Sequence, residues 1–140
     1  MLKNGEKMNY TQKALELHSA GYNCAQAVAC AFCERVGLDE ITLYKIAEGF
    51  GAGMGKRNNV CGALSGAVMI AGLLGSNGDT KNSSKAETYK LSGKIEEYFR
   101  ERCRATACCD IKGLKDGTPT VSCDECIRVA VKAVEDVLLA

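Results

Sequence analysis

The stretch Gly49-Phe50-Gly51-Ala52-Gly53-Met54-Gly55-Lys56-Arg57-Asn58-Asn59-Val60-Cys61-Gly62-Ala63-Leu64-Ser65-Gly66-Ala67-Val68-Met69-Ile70-Ala71-Gly72-Leu73-Leu74-Gly75 decides how the rest of the chain is arranged. It is a glycine-rich loop, two cations, two asparagines, and then a cysteine opening an apolar run. That run, about 60–74, predicts a helix with Ser65 as its one polar side chain. A helix with no polar face is buried on all sides. Gly62 and Gly66, with Ala63, Ala67 and Ala71, leave room for neighbouring backbones.

The segments around it read as amphipathic helices that need such a centre. Upstream, Thr11–Ala20 carries Ala14, Leu15 and Leu17 among charges and stops at Gly21, a left-handed cap. Asn23 caps a second helix, Cys24–Val36, which Gly37 ends. At about 100° per residue, Cys24, Val28, Ala31 and Phe32 share its core-facing arc. Cys30 and Cys33 fall opposite, toward solvent or a neighbour. Asp39 caps a short third helix through Ala47. Downstream, Ser83 or Ser84 caps a fifth helix reaching about Arg102, with Leu91, Ile95, Tyr98 and Phe99 on one stripe. Cys103–Gly113 reads as a turn or broken helix, and Lys115–Thr120 as a loop. Ser122 caps the last helix, Cys123–Leu139, with Cys126, Ala130, Ala133 and Val137 on its apolar arc. The fold expected is all-α: one domain over 1–140, a bundle of about six helices around the central one.

Composition narrows the function classes. With 140 residues and a net charge of +1 there is no electrostatic case for nucleic acid. Met1–Lys13 is polar and lacks the apolar core of a signal peptide. The apolar run of 15 residues is short of the ~20 that cross a bilayer. The expectation is a soluble, cytoplasmic protein with no direct membrane insertion, reaching a membrane only through a partner.

Nine cysteines, at 24, 30, 33, 61, 103, 108, 109, 123 and 126, are too few for a secreted disulfide scaffold, and the number is odd. Without a secretion signal such cysteines are more often reactive or metal-binding. Cys24, Cys61 and Cys123 each open a helix behind a capping residue, where the helix N-terminus favours thiolate. Cys61 also follows Lys56 and Arg57, which makes it the most activated thiol on sequence grounds. Burial opposes this.

Other chemistries fit less well. The pairs Cys30/Cys33 and Cys123/Cys126 lie about 90 residues apart and lack zinc-knuckle context. Cys30-Ala31-Phe32-Cys33 sits inside a helix, with no strand–helix alternation of the thioredoxin kind. No Cys-x-x-Cys-His is present for haem attachment. His18, the only histidine, reads as a surface or edge residue. The glycine loop fits neither nucleotide fingerprint: no strand precedes it, and Lys56 is followed by Arg57. It reads as a tight connection passing close to other backbones, with an anion site on Lys56 and Arg57 as the alternative.

Several segments together resemble one family. Tyr22-Asn23-Cys24-Ala25-Gln26-Ala27-Val28, Gly49–Gly55, Cys61-Gly62-Ala63-Leu64-Ser65-Gly66, Cys108-Cys109-Asp110-Ile111-Lys112-Gly113 and Cys126 through Val129 match in order. The chain resembles the redox-active C_GCAxxG_C_C family, defined by four cysteines and a Cys-Gly-Ala-x-x-Gly motif. The resemblance implies a redox role on Cys24, Cys61, Cys108 and Cys126, with Cys109 competing for the third place. It implies thiol–disulfide exchange or electron transfer, needing no cofactor. The alternative is an iron–sulfur cluster or soft metal on the same four thiolates, since a related module resembles part of split-Soret cytochromes. It also implies a redox partner protein or a transport system as partner. An all-α interaction module, binding a transporter or a second copy in a homo-oligomer, is the third reading. Cys30, Cys33, Cys103, Cys109 and Cys123 are additional to the family pattern.

Overall fold

The computed structural model describes residues 9–111 and 121–140. The expected loop Lys115–Thr120 and all but the end of the lead-in lie outside them. Among the described residues eight α-helices follow in order: α1 Tyr10–Ser19, α2 Cys24–Ala31, α3 Cys33–Val36, α4 Glu40–Glu48, α5 Gly62–Gly75, α6 Lys85–Cys103, α7 Cys108–Ile111 and α8 Cys123–Val134. The last continues as a wide turn over Glu135–Leu139.

The expected all-α bundle is there, with two additions. The long second helix is broken at Phe32, whose backbone leaves helical geometry at φ −103°, ψ 10°. Its ring is fully buried and stacks on Tyr10 at 4.3 Å between centroids. The second addition is α7, a single turn in the segment read as broken. Gly37 closes α3 in the left-handed region, as expected. Gly21 does not close α1; Ala20 does so in right-handed geometry, and Gly21 follows at φ +108°.

Helix α5 is the centre. Its most extensive packing is with α2, followed by α6 and α8. Gly66 makes the first of these contacts close: a Cβ there would stand 2.8 Å from the Ala25 carbonyl oxygen. The expectation of burial on all sides needs correction. Gly62, Ala63, Leu64, Gly66, Ala67, Ile70 and Ala71 are buried, but Leu73 is 43% exposed. Val68 and Met69 line an apolar groove of about 610 Å³ with Phe50, Met54, Val60 and Leu64.

Phe32, Phe99, Leu43, Ile70, Ile95 and Ile127 fill the single core, each contributing roughly 2 kcal/mol by leaving water. Among the described residues no helix is long and apolar enough to cross a membrane.

The start of α2 is fixed by a reciprocal cap. Asn23 Oδ1 accepts from the Gln26 N–H at 2.9 Å, and Gln26 Oε1 accepts from the Asn23 N–H at 2.9 Å. The leftover amides reach α4: Asn23 Nδ2 donates to the Glu48 carbonyl and Gln26 Nε2 to that of Tyr44. Asn23→Ala removes the cap and one tie between helices. It is expected to lower stability by about 1–2 kcal/mol, read as a lower urea midpoint at unchanged slope. An unchanged midpoint would contradict this account of the cap.

Candidate functional site

The glycine loop reaches α5 through backbone that few residues tolerate. Ala52, Met54 and Arg57 have φ of +53°, +62° and +61°, interleaved with Gly53 and Gly55 at +58° and +78°. Each non-glycine there costs on the order of 1 kcal/mol or more, and persists only where surroundings hold it. A Cβ on Gly51 would overlap the Asn23 side chain. One on Gly53 would stand 2.7 Å from Cys108 Cβ and 2.9 Å from the Asn59 carbonyl oxygen. The loop is thus a close-packed connection pressed between the α2 cap and the start of α7. Lys56 and Arg57 are exposed on it.

Beyond the loop the chain runs briefly antiparallel to the segment before α7. Val60 and Ala107 form an isolated bridge. The Cys61 N–H donates to the Thr106 carbonyl at 2.7 Å, and the Cys108 N–H to that of Asn59 at 2.8 Å. This moves the expected helix start. Asn59 is drawn into the bridge, and Cys61 itself takes the N-cap position of α5, with extended backbone at φ −54°, ψ 133°.

Cys61 is 3% exposed. Its thiol hydrogen-bonds to Cys126, and that contact together with burial pushes it well above the ordinary thiol range. The N–H groups of Ala63 and Leu64 pull weakly the other way, without closing a cap hydrogen bond. The sequence expectation of an activated Cys61 thiolate is therefore reversed. The helix N-terminus is present, but desolvation and a second sulfur outweigh it.

Cys126 lies fully buried on α8, which packs on both α5 and α2. Cys108 opens α7 at 8% exposure, against Gly53. Its neighbour Cys109 turns its sulfur toward Asp110 Oδ1 at 3.9 Å. Cys24 is the first residue of α2 and is half-buried. Its neighbour Ala25 offers a backbone N 3.1 Å from where a Gly62 Cβ would stand, so the starts of α2 and α5 meet. The four elements bearing Cys24, Cys61, Cys108 and Cys126 thus converge on one end of α5, with Cys61 and Cys126 in direct contact. No disulfide joins any of the nine cysteines. Among the described residues no three Cys, His, Asp or Glu side chains are arranged to hold a metal.

Of the remaining cysteines, Cys30 and Cys33 face a neighbour, Glu40 of α4, one of the two outcomes expected from the helical wheel. Cys30 and Cys33 are not turned to solvent; they are 0% and 6% exposed. Every residue of α2 from Ala25 to Ala31 is buried, because α1, α4, α5 and α8 surround it. A helix enclosed in this way has no outer face for the wheel to find. Conversely Cys24, assigned to the core arc, is half-buried because it sits at the helix end. Cys103 is buried at the end of α6, and Cys123 is half-buried. His18 ties α1 to α8 through Nδ1 and Asp124 Oδ1 at 2.9 Å.

Two residues near Cys30 and Cys33 escaped sequence reading. Glu40 was visible only as the residue after the Asp39 cap, and Tyr22 only as part of the first cysteine segment. The Tyr22 hydroxyl donates to Glu40 Oε2 at 2.8 Å. That bond and partial burial raise the phenol to about 12. Burial, then the Glu40 charge, push Cys30 up to about 12.

These protonated thiols link folding to alkaline pH. The unfolded chain releases their protons near the ordinary thiol value of 9.0, while folded Cys30 holds its own to about 12 and Cys61 is likewise raised. Above 9.0 the native state binds more protons than the unfolded one, so this stabilisation is complete below that pH and is lost as pH rises toward 12. The urea midpoint is expected to fall steadily once the pH passes that lower value. A rising midpoint would refute the assignment.

A family model described as "Putative redox-active protein (C_GCAxxG_C_C)" matches residues 22–137, a span holding all nine cysteines. No curated protein and no solved structure matches the chain.

Proposed function

Since the chain belongs to the C_GCAxxG_C_C family of redox-active proteins, we propose that it works by thiol–disulfide exchange, with Cys61 and Cys126 as the pair that opens and closes. The hydrogen bond between their sulfurs carries this reading. Two thiols in such contact need only small side-chain rotations to reach the ~2 Å of a disulfide.

The contact also divides the roles. The Cys61 S–H donates to the Cys126 sulfur, which leaves Cys126 as the sulfur placed to carry negative charge and attack. During a local opening that admits solvent and a partner disulfide, the Cys126 proton passes to solvent as its sulfur bonds to one sulfur of that disulfide. The partner's S–S bond breaks, and one thiolate leaves, taking up a proton. Cys61 then loses its proton and attacks Cys126, closing the Cys61–Cys126 disulfide and releasing the second partner thiolate. Two electrons pass from the dithiol to the partner, which departs as two thiols. Cys24 and Cys108 stand nearer the surface and mark the side from which a partner reaches the buried pair.

Titration of the full chain in glutathione redox buffers, followed by alkylation and peptide mapping, tests this. A Cys61–Cys126 cross-link is expected to form as the buffer becomes more oxidising. Alkylation of both cysteines at every ratio would sink the proposal.

A further inference from the structure

Cys30, Cys33 and Glu40 form a second cluster that the reading above leaves unused. Cys30 and Cys33 are three residues apart, on either side of the break at Phe32. Cys30 Sγ points at the Glu40 carbonyl oxygen at 3.8 Å, and Cys33 Sγ at Glu40 Oε1 at 3.9 Å. Glu40 Oε2 is occupied by the Tyr22 hydroxyl. The Glu40 carboxylate therefore stands at the Cys33 sulfur, held in place by a phenol, while the backbone carbonyl of the same residue faces Cys30. Glu40 also helps to line a groove of about 410 Å³ with Tyr22, Ile41, Tyr44, Lys45 and Glu48. That is within the ~300–1,000 Å³ range of small-molecule sites.

We propose that Cys30 and Cys33 are a second redox-active dithiol, with Glu40 as proton acceptor for Cys33 and a small organic disulfide as substrate. Cys33 is the more exposed of the two sulfurs and attacks first. Its proton passes to the Glu40 carboxylate as its sulfur bonds to one sulfur of the disulfide. The disulfide's own S–S bond breaks, and the departing thiolate takes the proton back from Glu40. Cys30 then attacks Cys33, and its proton passes to the second thiolate as that thiolate leaves. The net result is one protein disulfide and two small thiols, with two electrons moved to the substrate. A base is needed because the surroundings disfavour free thiolate. Burial and the Glu40 charge oppose it at both sulfurs; Lys13 on α1 favours it at both, and Glu34 on α3 adds its charge at Cys33. A dithiol whose thiolate form is not stabilised is the reducing kind of pair.

The test uses the native full chain with oxidised glutathione, reading the tryptic peptide Ala14–Arg35 by fragment mapping. The native protein is expected to show a Cys30–Cys33 cross-link. Cys30→Ser is expected to trap glutathione on Cys33, and Cys33→Ser to leave Cys30 unmodified. At about pH 6 to 8 the native rate is expected to stay nearly flat, while Glu40→Gln reacts on the order of 10²-fold more slowly at the lower end and gains about tenfold per pH unit. Both cysteines remaining alkylatable at every glutathione ratio would overturn the proposal, as would equal pH slopes for native and Glu40→Gln. The mapping reads this pair separately from Cys61 and Cys126, so failure of either assignment leaves the other standing.

Discussion

Cys126→Ser is expected to abolish the internal disulfide of Cys61 and to slow exchange with a glutathione buffer by about 10³-fold or more. Cys61→Ser should do nearly the same, but with a different residue trapped. With Cys61 gone, Cys126 can still attack and is left holding a mixed disulfide, because the resolving sulfur is missing. With Cys126 gone, the attacking sulfur of the proposed mechanism is missing, and no adduct accumulates. Cys24→Ser, at the half-buried rim, should slow entry without removing the internal disulfide. Trapped adduct is read by intact mass, and folding by the thermal transition. Native-like rates in both Cys61→Ser and Cys126→Ser would end the proposed role of the pair.

The second large effect comes from a residue with no chemistry of its own. Gly66→Ala places a Cβ 2.8 Å from the Ala25 carbonyl oxygen and 3.1 Å from Val28 Cβ. The first neighbour is backbone and cannot turn aside, so α2 must move off α5. Overpacking of this kind costs about 1–3 kcal/mol, with a further loss of redox rate because Cys24 travels with α2. Gly72→Ala is the control on the same helix: nothing lies within 4 Å of its Cβ. It is expected to stabilise by up to about 1 kcal/mol, from helix propensity alone. The two denaturation midpoints should move in opposite directions. A stabilised Gly66→Ala would refute the close packing of α2 on α5.

The architecture was legible because local signals agreed. Asn23, Asp39 and Ser122 each cap the helix that they announce, and a run over 60–74 with Ser65 as its one polar side chain marks α5 as the hub. The wheel did not choose between solvent and a neighbour for Cys30 and Cys33, because periodicity reports one buried face and α2 is enclosed by four helices. Its alanines are small enough to permit that, which a hydrophobicity pattern does not weigh. Cys61 was identifiable by its motif, but its electrostatics were not. Lys56, Arg57 and a helix N-terminus all argue for thiolate from sequence. What decides is Cys126, 65 positions away in the chain, and only the fold brings it there. Glu40 was missed for the same reason, since nothing local distinguishes it from any acid in a first helical turn.

The short bridge between Asn59–Cys61 and Thr106–Cys108 acts on timing as well as on shape. Two backbone hydrogen bonds fasten Thr106 and Cys108 against Asn59 and Cys61, whose side chain is buried. A thiol buried in this way meets a reagent only during brief local openings, as a protected amide meets solvent. Its observed reactivity is then the intrinsic rate scaled by how seldom the region opens. Cys61 labelling thus becomes a gauge of that opening, and a partner that grips the bridge could hasten exchange without touching either sulfur.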